Sequence, residues 1–305
     1  MDRVATVNLR DFTHGTPTEQ QQFVRQLGDS LVETGFVKVS GHGVDAGAID
    51  AAYRAAVDVF ALPDEVKRTY ERLDLHGARG IVPFGKEQAK DASIVDLKEF
   101  WHIGAPGGPM PNVWPAEVPA FQPATTELYL QMELAAQTML EALAVFFHLP
   151  RRTLADLVVG ANSLLRVLHY PPLRDRSIPG AVRAAAHEDI DFITLLPAAT
   201  DAGLELRDRS GTWQSVDGID GEIVADAGDM LSRYLNGRIP STTHRVVNPD
   251  NPDAERYSMP FFCQPRPDVV LRPPDQLLAT GEVVENVVTA GEYHRERMEQ
   301  IRLTK

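Results

Sequence analysis

Three side chains with metal-binding chemistry stand out along the chain. His187 and Asp189 lie in the tripeptide His187-Glu188-Asp189, and His244 lies downstream in Thr243-His244-Arg245-Val246-Val247. Both segments read as β. Along a strand, residues i and i+2 share a side, so His187 and Asp189 are expected to converge while Glu188 turns away. Two imidazoles and one carboxylate can take one face of a metal ion and leave the opposite face open. That arrangement suits a ferrous ion that must also bind a substrate group and dioxygen. The same spacing also serves a buried histidine hydrogen-bonded to an aspartate, and His244 alone could be a satisfied core histidine. A hydrolytic zinc site can use the same three groups.

A second feature separates these readings. Arg256-Tyr257-Ser258 begins twelve residues after His244, again in a β run. Arg256 and Ser258 share a face. A guanidinium fork beside a hydroxyl makes a receptor for a carboxylate, because the fork offers two parallel charge-assisted hydrogen bonds. An arginine paired on the surface with Glu255 is the plain alternative. A zinc hydrolase would leave this receptor unexplained. An anchor for an acidic co-substrate beside an iron site explains both features.

The elements that must position these groups change texture along the chain. The first half reads as helices with edge strands: a strand over 4–9, helices over 16–33 and 46–60, and a strand over 36–40 between them. Ile49, Tyr53, Val57 and Phe60 form the expected apolar side of the second helix. Residues 75–123 are rich in glycine and proline, with one alternating run, Leu97 to Ile103, that reads as a strand. A loop this long is more often functional than idle, and the segments 77–85 and 105–123 are candidates for a lid. A long helix over 123–149 ends in an all-apolar run and is expected to be buried, and a short helix follows over 150–159. From 163 to 271, short β-like runs recur about every ten residues, separated by turn signals, as in a barrel or sandwich. A closing helix covers 290–301. With no flexible linker, residues 1–305 read as one domain: a mostly helical part (1–160), a β core with the metal site (161–275) and a helical tail (276–305).

Composition narrows the function classes. The charge is −13, from 30 basic and 43 acidic residues, with no basic run, so repulsion from phosphate argues against nucleic acid as a partner. Hydrophobic residues make up 43%, which is ordinary for a folded globular chain. Cys263 is the single cysteine, so no intrachain disulfide can form, as suits a reducing compartment. No apolar stretch is long enough to span a bilayer, and residues 1–12 lack an apolar signal core. These traits together suggest a cytoplasmic protein.

The ordered set LLRVLHYPP (164–172), HEDIDFITLL (187–196), GLEL (203–206), GDML (228–231), NGRIPSTTHRVV (236–247) and RYSMPFF (256–262) resembles the isopenicillin N synthase-like branch of the Fe(II)/2-oxoglutarate oxygenases. GFVKVSGHGV (35–44) and DLKEFWHIG (96–104) extend the resemblance to nearly the whole chain. The resemblance implies a mainly β fold with flanking helices, a double-stranded β-helix or jelly roll. It implies His187, Asp189 and His244 as iron ligands, and Arg256 and Ser258 as the grip on the distal carboxylate of 2-oxoglutarate. Tyr170 matches a position whose hydroxyl often joins that carboxylate site. Leu168 stands where plant members carry asparagine, which puts one co-substrate contact in question. The implied activity consumes dioxygen and 2-oxoglutarate, releases succinate and carbon dioxide, and oxidises a C–H bond of a small molecule, most simply by hydroxylation. Phe192, Phe262, Phe100, His102 and Arg166 fall in regions that border substrate in the family. The plain reading of each aromatic is core packing, and that of Arg166 is a salt bridge. His14, His42, His76 and His294 have no partner at ligand spacing and read as ordinary. An iron oxidase of this fold that dispenses with 2-oxoglutarate, and a non-catalytic binding protein, are the competing readings.

Overall fold

The computed structural model describes residues 4–87, 94–216 and 218–300. Two short elements, β1 (Thr6–Asn8) and α1 (Leu9–His14), lead into α2 (Pro17–Thr34). Thr16 and Glu19 start α2 with a reciprocal capping box, and Gly35 ends it in the left-handed region at φ 74°. β2 (Phe36–Ser40), α3 (Ala46–Phe60) and α4 (Asp64–Arg68) follow. The glycine- and proline-rich stretch contains β3 (Gly80–Val82) and β4 (Glu99–Gly104), and then comes α5 (Phe121–Phe146). After α6 (Ala155–Val158) come β5 (Leu164–Tyr170), β6 (Ala184–His187), β7 (Ile193–Pro197), β8 (Leu204–Arg207), β9 (Trp213–Ser215) and β10 (Ile223–Ala227). The chain continues through α7 (Asp229–Tyr234), β11 (His244–Val246), β12 (Arg256–Ser258), β13 (Phe261–Cys263) and α8 (Ala290–Gln300).

The strands make a jelly roll of two facing sheets. The larger runs β1-β2-β10-β7-β13-β5-β4-β3, with β12 also paired to β5. The smaller runs β6-β11-β8-β9. β1 and β2 pair in parallel, and the other named pairs are antiparallel. Strand alternation gives the large sheet two different faces. Leu165, Val167, Trp101, Ile103, Ile193, Leu195, Phe261 and Cys263 point outward, into one core shared with α2, α3 and α5. Phe36, Phe100, Leu168, Tyr170 and Val224 point inward and meet Ala184, Leu204, Leu206 and Val246 of the small sheet. The inward face is where the functional groups collect.

Several sequence expectations shift. On α3 the buried face is Ala52, Ala55, Ala56, Val59 and Phe60, while Val57 is 43% exposed. Small alanines let α3 lie close to α5, so the larger Ile49 and Tyr53 flank the seam. The apolar end of α5 is not buried all round, since Val145 is 38% exposed beside the buried Leu143 and Ala144. The run Asp268 to Arg272 makes only an isolated bridge, Val270 to Thr289, instead of a strand. Ile301, the expected end of the last helix, lies outside the described residues.

The outer face holds an ion network that is buried except at its Glu255 end. Lys67 donates to both oxygens of Glu99 at 2.9 Å, Glu99 meets His169 Nδ1 at 2.8 Å, and His169 Nε2 meets Glu255 at 2.7 Å. Glu99 and His169 are direct cross-strand partners on β4 and β5. Removing one member strands the others in low dielectric. Glu99→Ala is therefore expected to destabilise the protein by about 3–5 kcal/mol in denaturant unfolding, far beyond an exposed ion-pair loss such as Asp74→Ala.

Candidate iron centre and adjoining cavity

His187 ends β6, and His244 begins β11 directly opposite it. Asp189 lies beyond the end of β6, in the turn towards β7, and not on the strand itself. Its approach to His187 comes from this turn, which Asp229 N–H closes on the Asp189 carbonyl at 2.9 Å. Both imidazole Nε2 atoms stand 3.7 Å from Asp189 Oδ1. One ligand atom from each residue lies within 4.8 Å of the others, so the three can hold a single metal ion.

The proton positions favour that ion. His187 Nδ1 is 2.7 Å from the Ala185 carbonyl, and His244 Nδ1 is 3.1 Å from the Thr242 carbonyl. A carbonyl only accepts, so each Nδ1 carries the hydrogen and each Nε2 turns a lone pair towards Asp189. Burial, reinforced by His244 and opposed by Asp189, lowers the His187 pKa to about 4, keeping it neutral. Thr194 Oγ1 lies 2.5 Å from Asp189 Oδ2 and 2.8 Å from Asp191 Oδ2. Burial, and then the charge of Asp189, raise Asp191 well above the carboxylate range. A protonated Asp191 can donate to Thr194, which donates to Asp189 and leaves Oδ1 free towards the histidines. Three electron-pair donors thus face one another with no hydrogen between them, which a cation resolves.

His187 and Asp189 border a cavity of about 500 Å³. His244 packs beside them, its ring 4.4 Å from that of His187 and edge-on to Phe36 at 5.7 Å. The opposite wall carries Arg166, His102 and Phe262 from β5, β4 and β13. Phe192 and Phe100 do not line this cavity. Phe192 is fully buried on the outer core against Tyr234, and Phe100 lies beneath the Arg166 guanidinium. Nor does the 105–123 segment reach it. His76 to Arg79 do, as do His294, Arg297 and Met298 of α8. Two histidines that read as ordinary in the sequence, His76 and His294, therefore border the cavity, as do Arg79 and Lys98. No spacing signal marks His76, Arg79 or His294, because loops and a remote helix bring them in, whereas Lys98 alternates with Phe100 and His102. Thr194, five residues beyond Asp189, is equally silent in the sequence, since a lone threonine in a strand carries no distinctive pattern.

Arg256 and Ser258 point inward, while Tyr257 between them stacks outward on His169 at 4.8 Å. Arg256 does not border the large cavity. It faces the same interior farther along β5, beside a recess of about 160 Å³ lined by residues including Leu196, Leu204 and Val224. Arg166 and Tyr170 mark the two places on β5, four residues or roughly 13 Å apart. The Arg256 guanidinium lies over the Tyr170 ring at 5.1 Å, with Arg183 at 5.8 Å from that ring. Arg256 is 1% exposed; its Nε donates to the Asp201 carbonyl at 2.9 Å, and among the described residues its Nη1 has no partner.

A jelly roll with a His-Asp-His cluster at its mouth defines a non-haem iron oxygenase architecture. Residues 161–265 match the 2OG-Fe(II) oxygenase superfamily, and residues 5–120 match a family described as the non-haem dioxygenase in morphine synthesis N-terminal region. A proline hydroxylase of Petromyces alliaceus is 30% identical over 97% of this chain and 99% of its own length. A 2OG-Fe(II) oxygenase family protein from Caulobacter crescentus is 37% identical, with TM-score 0.87 over 98% of this chain and 99% of that one. A full-length Neurospora crassa protein solved in complex with alpha-KG and thymine is 25% identical, with TM-score 0.88 over 97% and 96% of the two chains. The chain belongs to the 2OG-Fe(II) oxygenase superfamily. It is a 2-oxoglutarate-dependent dioxygenase that uses iron and dioxygen. Among the described residues no helix is long and apolar enough to cross a membrane.

Mn(II) is expected to raise the melting temperature of the wild type and not of His244→Ala or Asp189→Ala. At a hundredfold excess over its dissociation constant the gain is about 2.7 kcal/mol, readable by differential scanning fluorimetry.

Proposed function

We propose that His187, Asp189 and His244 hold the ferrous ion, and that Arg256, with Ser258 and Tyr170, receives the distal carboxylate of 2-oxoglutarate. The observation that carries this reading is the buried Arg256 guanidinium with an unpartnered Nη1. Buried charges are otherwise paired, and an unmet charged donor costs more than an ordinary lost hydrogen bond. A carboxylate entering the recess beside Tyr170 would meet that donor and neutralise the charge. Ser258 faces the same interior two register positions away, opposite Leu168.

When bound, iron and 2-oxoglutarate supply the oxidising power, drawn from dioxygen and the decarboxylation of the keto acid to succinate. The chain's own residues hold and shield these groups. The Nδ1–H bonds to Ala185 and Thr242 fix the imidazole planes. Thr194 fixes the Asp189 carboxylate. The inward apolar cluster, with Leu168, Leu204, Leu206 and Val246, keeps water from the space between the small recess and the metal ligands. The substrate is a small molecule that enters the 500 Å³ cavity, a volume ordinary for such ligands. Hydroxylation is the simplest outcome at a C–H held there. Residues 1–305 act as one oxygenase unit, a reading supported by β1 and β2 lying in the same sheet as β10 and β7.

Wild-type protein with Fe(II) and 2-oxoglutarate is expected to form succinate slowly without added substrate. Arg256→Ala should raise the 2-oxoglutarate concentration for half-maximal rate about a hundredfold or more, as for a truncated buried charge pair. Arg256→Lys should lose less, keeping the charge but not the fork. An unchanged response in Arg256→Ala would remove the carboxylate assignment.

A further inference from the structure

The cavity wall opposite the metal ligands carries a cluster of charges that does not balance among the described residues. Arg79 and Lys98 are 1% and 5% exposed, and the Arg166 side chain is 19% exposed. Their acidic partners are Glu87 and Asp96, at 7% and 3% exposure. Lys98 Nζ meets Glu87 at 2.6 Å and Asp96 at 2.9 Å, and Arg166 Nη1 meets Glu87 at 3.2 Å. The two cations outweigh the effect of burial and hold Glu87 well below the usual carboxylate range, so it is charged. His102 between the arginines is neutral. Its Nδ1 bonds the Gly77 carbonyl at 2.7 Å and its Nε2 accepts from Arg166 Nε at 2.7 Å. Among the described residues three cations therefore face two anions, and the wall keeps one positive charge.

Arg79 is the member without an acid. Its Nη1 donates to the Ala78 carbonyl and its Nη2 to Asn162 Oδ1, each at 2.6 Å, and among the described residues its Nε has no partner. Among the described residues no carboxylate lies within ion-pair distance of it. The fold makes room for this side chain. A Cβ on Gly104 would stand 1.8 Å from Arg79 Nη2, so the guanidinium lies against bare backbone of β4. Arg166 is fixed as firmly. Its guanidinium sits 4.4 Å from the Phe100 ring and 5.2 Å from the Phe262 ring, an arrangement that favours a desolvated, oriented cation. Its Nε and Nη1 are engaged by His102 and Glu87, and among the described residues its Nη2 is bonded to no protein group.

We infer that the substrate of this oxygenase carries a carboxylate, received by Arg166 and Arg79 on the large-sheet wall while the C–H to be oxidised faces the metal ligands on the small sheet. The inference rests on the proposed function for the direction of the substrate, but the anion site stands on the cationic wall alone. The substrate's carboxylate supplies the missing counter-charge, and the planar fork of Arg166 sets its orientation. The site is separate from the Arg256 recess, since Arg166 and Arg256 border different cavities.

The test is a calorimetric titration of the full chain with Mn(II) and 2-oxoglutarate present, so that no turnover occurs. The probes are phenylacetate, cinnamate, L-proline and N-acetyl-L-proline, each against its primary amide. At least one acid should bind at least about tenfold more tightly than its amide, the loss of one charge-assisted pair. Arg166→Met should abolish that preference while Mn(II) still raises its melting temperature, and Arg166→Lys should keep part of it. Gly104→Ala, which displaces Arg79, should weaken acid binding without affecting amides. No acid bound, or acid and amide bound equally, overturns the inference. Failure of the oxygenase reading would appear separately, as absent succinate formation and no Mn(II) shift in the wild type.

Discussion

Three groups that cannot comfortably face one another without a cation govern this structure. His187 and His244 each commit their Nδ1–H to a backbone carbonyl, so each presents only a lone pair on Nε2. Asp189 presents Oδ1 to both at 3.7 Å. In a partly buried site, three converging electron-pair donors repel, and a divalent ion converts that cost into binding. The surrounding groups prepare the same outcome. Thr194 holds the second Asp189 oxygen, and burial pushes the Asp191 and Asp226 carboxyls well above the ordinary carboxylate range.

The same constraint on charge governs the rest of the interior. Large cations are held between the sheets in two separate places, with aromatic rings against them. Arg256 lies over Tyr170, and Arg166 lies beside Phe100 and Phe262. Guanidinium tolerates such desolvation better than ammonium because its charge is delocalised and weakly hydrated. Lys98, which lacks that advantage, is held by two carboxylates. The outer face follows the rule as well, since Lys67 is buried only where Glu99 chelates it. The helices thus pack on a mostly apolar outer face, broken by the Lys67–Glu99–His169 network, while the inner face carries the cavity's charged groups.

The position of α8 follows from this division. Arg297 reaches Asp229 at 3.2 Å, and Tyr293 donates to the same carboxylate at 3.0 Å. Burial raises Asp229 to about 6 despite these partners. Asp229 also opens α7, whose amide closes the Asp189 turn. The last helix and the turn that carries Asp189 are therefore joined through a single residue, Asp229, by its carboxylate and its amide.

Much of this is legible in the sequence because strands convert spacing into direction. Alternation alone places Arg256 with Ser258, and Phe100 with His102, on one side. The recurring short β runs point to the fold class, and the ordered His, Asp, His, Arg and Ser positions identify the chemistry. Alternation also explains why Arg166 within Leu164-Leu165-Arg166-Val167-Leu168 had to face a polar space. What stays hidden has no period to carry it. Phe192 and Phe262 look alike in sequence, yet one packs in the outer core and the other lines the cavity, because a turn precedes one and a short strand holds the other. Arg79 and Glu87 lie in or beside irregular segments, where residue number says nothing about direction. His294 and Arg297 arrive from a helix about a hundred residues past His187. Local pattern determined which residues could do chemistry. Only long-range packing decided which of them share a cavity, because that depends on how two sheets and a distant helix close on one another.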